Sequence, residues 1–150
     1  MILDAQTQLS SAQAVTASAV SANTIDLGTA RDVANGDELH VAITVDVAAA
    51  AAGAATVTFQ AITSASANLS TPTVIAQTDA IGKADLPAGR RPIILTLSRH
   101  VLASLPIGQR YLGLNYLVGT GPLTTGSFTA SVVTDPQDVA RNYASGFSIT

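Results

Sequence analysis

RYLGLNYLVGTGPLTTGSFTASVVTD, residues 110–135, is the stretch on which the fold turns. Leu112, Leu114, Tyr116 and Val118 alternate with Tyr111, Gly113, Asn115 and Leu117. A second run repeats the pattern with Phe128, Ala130 and Val132. A period of two sends successive side chains to opposite faces of an extended chain, so both runs read as strands with one apolar face. Between them, residues 119–126 hold Gly, Pro and Thr, which predicts a wide hairpin loop. Arg110 and Asp135 carry the only charges, one at each end.

The same pattern recurs upstream. ELHVAITVDV, residues 38–47, sets Leu39, Val41, Ile43, Val45 and Val47 against Glu38, His40, Ala42, Thr44 and Asp46. Helical spacing would scatter those branched residues around a cylinder, so a half-buried strand is the reading. TVTFQAI (56–62) puts Val57, Phe59 and Ala61 on one face, and IILTLS (93–98) does the same with Ile93, Leu95 and Leu97. VIAQTD, AVTASAV and NTIDL read as shorter strands. The alanine run 48–55 is too short for an isolated helix and is interrupted by Gly53, so it reads as a loose connection. RHVLASLPIG, ended by Pro106, reads as a short helical turn. About eight short antiparallel strands with turn chemistry between them predict an all-β jelly roll or β-sandwich. The expected layout is one domain over residues 1–135 and a C-terminal tail or arm over 136–150.

Charged residues make up 11% of the 150-residue chain, well below the roughly 25% of an average soluble domain. The net charge of −3, with Arg90-Arg91 as the only basic doublet, argues against binding nucleic acid by neutralising phosphates. A weakly charged surface has few groups to desolvate on association, which points toward assembly. There is no cysteine, so disulfides, thiol catalysis and cysteine-ligated zinc are excluded. The N-terminal MILDAQTQLSSAQAV lacks a basic n-region and has Asp4 where an apolar h-region would begin, so no signal peptide is expected. No apolar run reaches the length of a membrane-spanning helix, and no membrane partner is expected.

Little in the sequence can carry chemistry. His40 and His100 are the available imidazole bases, and Ser98 stands two residues from His100, but no Gly-x-Ser-x-Gly elbow accompanies them. Ordinary surface histidines are the better reading. GTGPLTTG lies between two strands with no following lysine, which defeats a phosphate-loop reading. Asp26, Asp32, Asp37 and Glu38 cluster without the spacing of a calcium loop, so a solvated acidic loop is expected. Asn68-Leu69-Ser70 fits a glycosylation sequon, a match common by chance. The expectation is a protein that is no enzyme, with no cofactor and no metal. Asn115, on the face of its strand opposite Leu114 and Tyr116, must be hydrogen-bonded if its face is buried. It is a candidate subunit contact, with a partner inside the chain as the ordinary explanation.

MILDAQTQLSSAQAVTASAVSANTIDLG, DELHVAITVDV, VTFQAITSASANLSTPTVIAQT and RYLGLNYLVGTG…FTASVV, in that order, carry a resemblance. Over roughly residues 1–135 the chain resembles the capsid cement (decoration) proteins of tailed bacteriophages, those on the heads of short-tailed Bordetella phages above all. The resemblance implies a jelly-roll protein that forms oligomers, a dimer or trimer, on the outside of an icosahedral head in the virion. It implies the major capsid protein as partner, with neighbouring subunits clamped together. The low-charge ends, with Ile2, Leu3, Tyr143 and Phe147, are candidate arms, and Leu123 in the uncharged loop is a candidate contact with a neighbour.

Two other classes compete with that reading. One is a virion tail or fibre domain or a carbohydrate-binding sandwich. Aromatic residues at 4%, with no tryptophan, leave little to stack on sugars. The other is a hydrolase built on Ser98 and His100.

Overall fold

The computed structural model describes residues 4–28, 37–98 and 109–135. Its strands are β1 (Gln8–Ala14), β2 (Ala19–Val20), β3 (Ile25–Asp26), β4 (Leu39–Ala50), β5 (Thr56–Ser64), β6 (Thr73–Gln77), β7 (Ile81–Gly82), β8 (Ile93–Leu97), β9 (Tyr111–Gly119) and β10 (Thr125–Val133). One 3₁₀ turn, Lys83–Asp85, is the only helical element among the described residues.

Two antiparallel sheets stack face to face. Sheet A has the order β1-β10-β4-β8 and sheet B the order β2-β9-β5-β6. β3 extends the β2 position along β9, and β7 extends the β6 position along β5. The ten segments therefore occupy eight strand positions. The pairing is nested: first with last (β1–β10), then β2/β3 with β9, β4 with β8, and β5 with β6/β7. This is one long antiparallel hairpin rolled up until β10 meets β4 and β9 meets β5. The result is a jelly roll, as the strand pattern predicts.

Alternation fixes which face goes inside. Leu39, Val41, Ile43 and Val45 on β4, Val57, Phe59 and Ala61 on β5, and Leu112, Leu114 and Tyr116 on β9 are all buried in one core. Phe59, Tyr116 and Phe128 meet at its centre. Phe59 stands edge-on to both other rings, at 5.8 and 5.2 Å, and Tyr116 stacks on Phe128 at 5.6 Å. These geometries suit the ring quadrupoles. The Tyr116 hydroxyl shares a 2.5 Å hydrogen bond with Ser10 Oγ, which joins sheet B to the edge strand of sheet A. Burial pushes the Tyr116 phenol up to about 12 despite that bond, with the Asp46 carboxylate raising it further.

Three expectations need correction. β9 and β10 lie in different sheets, so residues 119–126 form a crossing between sheets and no hairpin loop. Both runs have a strongly apolar face, and two such faces bury more surface stacked than side by side. The alanine run does not leave the strand at residue 48: β4 continues to Ala50, paired with Thr125, and Ala49 enters the core. Pairing with β10 outweighs the helical preference of alanine. The first strand is Gln8–Ala14, where the sequence suggested 14–20. Its register shifts twice, and Ala12 adopts φ 43, so no alternation is visible. Such bulges also blunt an exposed sheet edge against unwanted pairing. The expected helical turn at 99–108 and the tail 136–150 lie outside the described residues.

Candidate functional site

The outer face of sheet B has the features of a contact surface. Of its strands only β3 carries a charge, Asp26, and it lies at one end of the sheet. There the Arg110 guanidinium grips both carboxylate oxygens at 2.6 and 2.7 Å and lies over the Tyr111 ring at 5.3 Å. That pairing raises the Arg110 pKa, chiefly through the hydrogen bond to Asp26. The rest of the strand surface is neutral.

Across the middle of this face runs a ladder of amides. Val20, Asn115, Gln60 and Gln77 stand side by side on β2, β9, β5 and β6, because direct register partners in an antiparallel sheet share a face. Asn115 Nδ2 donates to Gln60 Oε1 at 2.7 Å, and Gln60 Nε2 donates to Gln77 Oε1 at 2.8 Å. Each amide fixes the next, so polar groups that would otherwise sample many rotamers are held in one arrangement. Val20, Val74 and Leu117 lie beside the ladder and are exposed. A neutral, ordered face with aliphatic side chains loses little by desolvation, the property that marks the centre of a protein interface.

The residues singled out from sequence separate clearly here. Asn115 lies within this face, half-buried and bonded to Gln60 within the chain. Leu123 does not face a neighbour: its side chain is 3% exposed and belongs to the core. The crossing brings it inward, with Leu123 N–H bonded to Thr16 O and Thr124 N–H to Ala50 O. Ile2, Leu3, Tyr143 and Phe147 lie outside the described residues. Val20, Gln60, Val74, Gln77 and Leu117 were not foreseen. The outward positions of the alternating runs contained Gln60 and Leu117, but which outward positions line up across strands depends on register, which alternation alone does not give.

The features weighed for chemistry do not come together. His40, on the outer face of β4, shares a 3.1 Å hydrogen bond with Thr96 Oγ1. Ser98 follows β8, and His100 lies outside the described residues. Asp26 is held by Arg110, Asp37 and Glu38 are exposed, and Asp32 lies outside the described residues. Among the described residues no group of three or more His, Asp or Glu is placed to hold a metal ion. In the sequon, the Asn68 side chain accepts the Ser70 N–H at 3.1 Å. An open groove of about 660 Å³ runs beside the start of β1, lined by Gln6, Gln8, Asn23, Thr24 and Asp26 among others, with no histidine or lysine.

A family model, Bbp16, matches residues 9–132, from the first strand to the last. The chain belongs to the Bbp16 family. Bbp16 is the name of a Bordetella phage protein, so the chain is a phage-related structural protein. The match spans both strands of the Asn115–Gln60 contact and the whole of sheet B, and it stops short of the two chain ends. Among curated proteins none matches the chain.

Proposed function

We propose that this Bbp16-family chain is a capsid cement (decoration) protein. In this reading it binds the outside of the icosahedral head as a homo-oligomer, contacts the major capsid protein and stabilises contacts between its subunits. It works without catalysis, cofactor, nucleic acid or membrane. The observation that carries the reading is the neutral outer face of sheet B, with its amide ladder and exposed Val20, Val74 and Leu117, in a chain of a phage family. Cementing requires a rigid body with a surface that can be desolvated at many equivalent positions, and this face meets that need.

The first test is copy number. Quantitative mass spectrometry of purified virions should give a simple ratio of this chain to the major capsid protein. A few copies per particle would favour a tail or fibre module, and absence would end the virion reading. The second test is Leu117→Arg, which sets an uncompensated charge in the face without touching the core. Binding to purified heads should fall by about a hundredfold or more, since burying an unpaired charge costs several kcal/mol. Unchanged binding by a folded Leu117→Arg protein would place the contact elsewhere.

A further inference from the structure

Between β5 and β6, residues 65–71 fold back over the outer face of sheet B. Six of these seven residues are exposed and one, Leu69, is buried. The hydrogen bonds of the segment close on itself and on Ser64. Leu69 N–H donates to Ser66 O, Ser66 N–H to Ser64 Oγ, Ser70 N–H to Asn68 Oδ1, and Ser64 Oγ to Ser70 O. The segment is therefore tied to the sheet by the hydrogen bonds of the buried Ser64 hydroxyl of β5 to Ser66 and Ser70 and by one aliphatic side chain, Leu69.

That side chain has a fitted seat. It lies over Gly113 of β9, where an added Cβ would fall 2.3 and 3.1 Å from the two Leu69 methyl carbons and 3.2 Å from Ser21 Oγ. Ile62, the register partner of Gly113, faces the same way and is fully buried. Glycine at 113 is thus required by close approach, not by backbone conformation. Neither Leu69 nor Ile62 belongs to the main core, so the seat is a separate apolar cluster on the outside of the sandwich.

The backbone opposes this closure. Leu69 has φ 55 and Thr71 φ 45. Both fall in the left-handed region, which is unfavourable for leucine and a true outlier for a β-branched threonine. Such strain persists only where surrounding contacts hold it, and here the holding contacts are the Leu69 side chain over Gly113 and the hydrogen bonds of Ser64.

We infer that residues 65–71 form a releasable strap. It opens as a unit while the jelly roll stays folded. Opening relaxes Leu69 and Thr71 and uncovers Ile62, whose other register partner is the exposed Val74. The open strap thereby enlarges the aliphatic part of the same outer face. The inference stands on the geometry of the strap alone and does not depend on what binds there.

Hydrogen exchange of the full chain, read by mass spectrometry, tests it. In the wild type, amides of 65–71 should exchange at least about a hundredfold faster than those of β5 and β9, with little dependence on low urea, as local opening requires. Gly113→Ala fills the seat and Leu69→Ala removes the plug. Each should accelerate strap exchange by about tenfold or more while β5 and β9 keep their wild-type rates. If Gly113→Ala disturbs folding, Leu69→Ala, which only deletes atoms, still decides. Strap amides that exchange at the rate and urea dependence of β5 and β9, or variants that speed strap and sheet together, would overturn the inference.

Discussion

Replacing Tyr116 with phenylalanine should reverse its own effect on stability between neutral and strongly alkaline pH. At neutral pH the variant loses the buried hydrogen bond to Ser10, worth about 1 kcal/mol. Ser10 Oγ retains a weaker 3.4 Å contact with Phe128 O, which limits the cost. The phenol has an ordinary pKa of 10.0 and is held at about 12 in the fold, with burial the largest cause. Its folded pKa is raised, so its contribution is complete below the unfolded value and is lost as pH climbs from there through the folded value. At about 1.4 kcal/mol per unit, that loss is roughly 2–3 kcal/mol in the wild type. The variant has no phenol at 116 and escapes it. Other titrating groups are common to both proteins and cancel in the difference. The wild type should therefore be more stable at about pH 7, equal between about pH 10 and 11, and less stable by about 1 kcal/mol near pH 12. Urea titrations followed by circular dichroism at these pH values measure the difference directly. A gap that stays constant through the alkaline range would refute the claim that Tyr116 is the buried, strongly shifted group.

Other outcomes follow from the same core. Phe128→Ala removes the ring that meets both Phe59 and Tyr116, and urea unfolding should show a loss of about 3–5 kcal/mol. Leu123→Ala should cost about 2–4 kcal/mol, since the side chain fills the end of the core, yet leave binding to purified heads unchanged once folded. Thr63→Val should raise the melting temperature: the Thr63 hydroxyl is buried with no hydrogen-bond partner among the described residues, so removing it relieves a desolvation cost of about 1 kcal/mol. A lower melting temperature for Thr63→Val would mean that the hydroxyl is satisfied.

Much of the architecture was legible in the residues themselves. Leu39 to Val45, Val57 to Ala61 and Leu112 to Val118 alternate so regularly that strand, inner face and fold class all follow, because the pleat allows no other use of that period. The absence of cysteine and the sparse charge were likewise plain. β1 was not legible, because two bulges break the alternation that would have marked it.

Tertiary structure decided everything that depends on which strand lies beside which. The sequence predicts strands on either side of residues 119–126, but only stacking shows that the chain changes sheets there and carries Leu123 into the core. Asn115 stood out from the start, while Gln60 and Gln77, distant in sequence, joined it only once register aligned their strands. The seat of Leu69 over Gly113 is of the same kind. Alternation along a strand is a local property written in the order of residues. Register and stacking are set by long-range burial summed over the whole chain, and no single segment contains that sum.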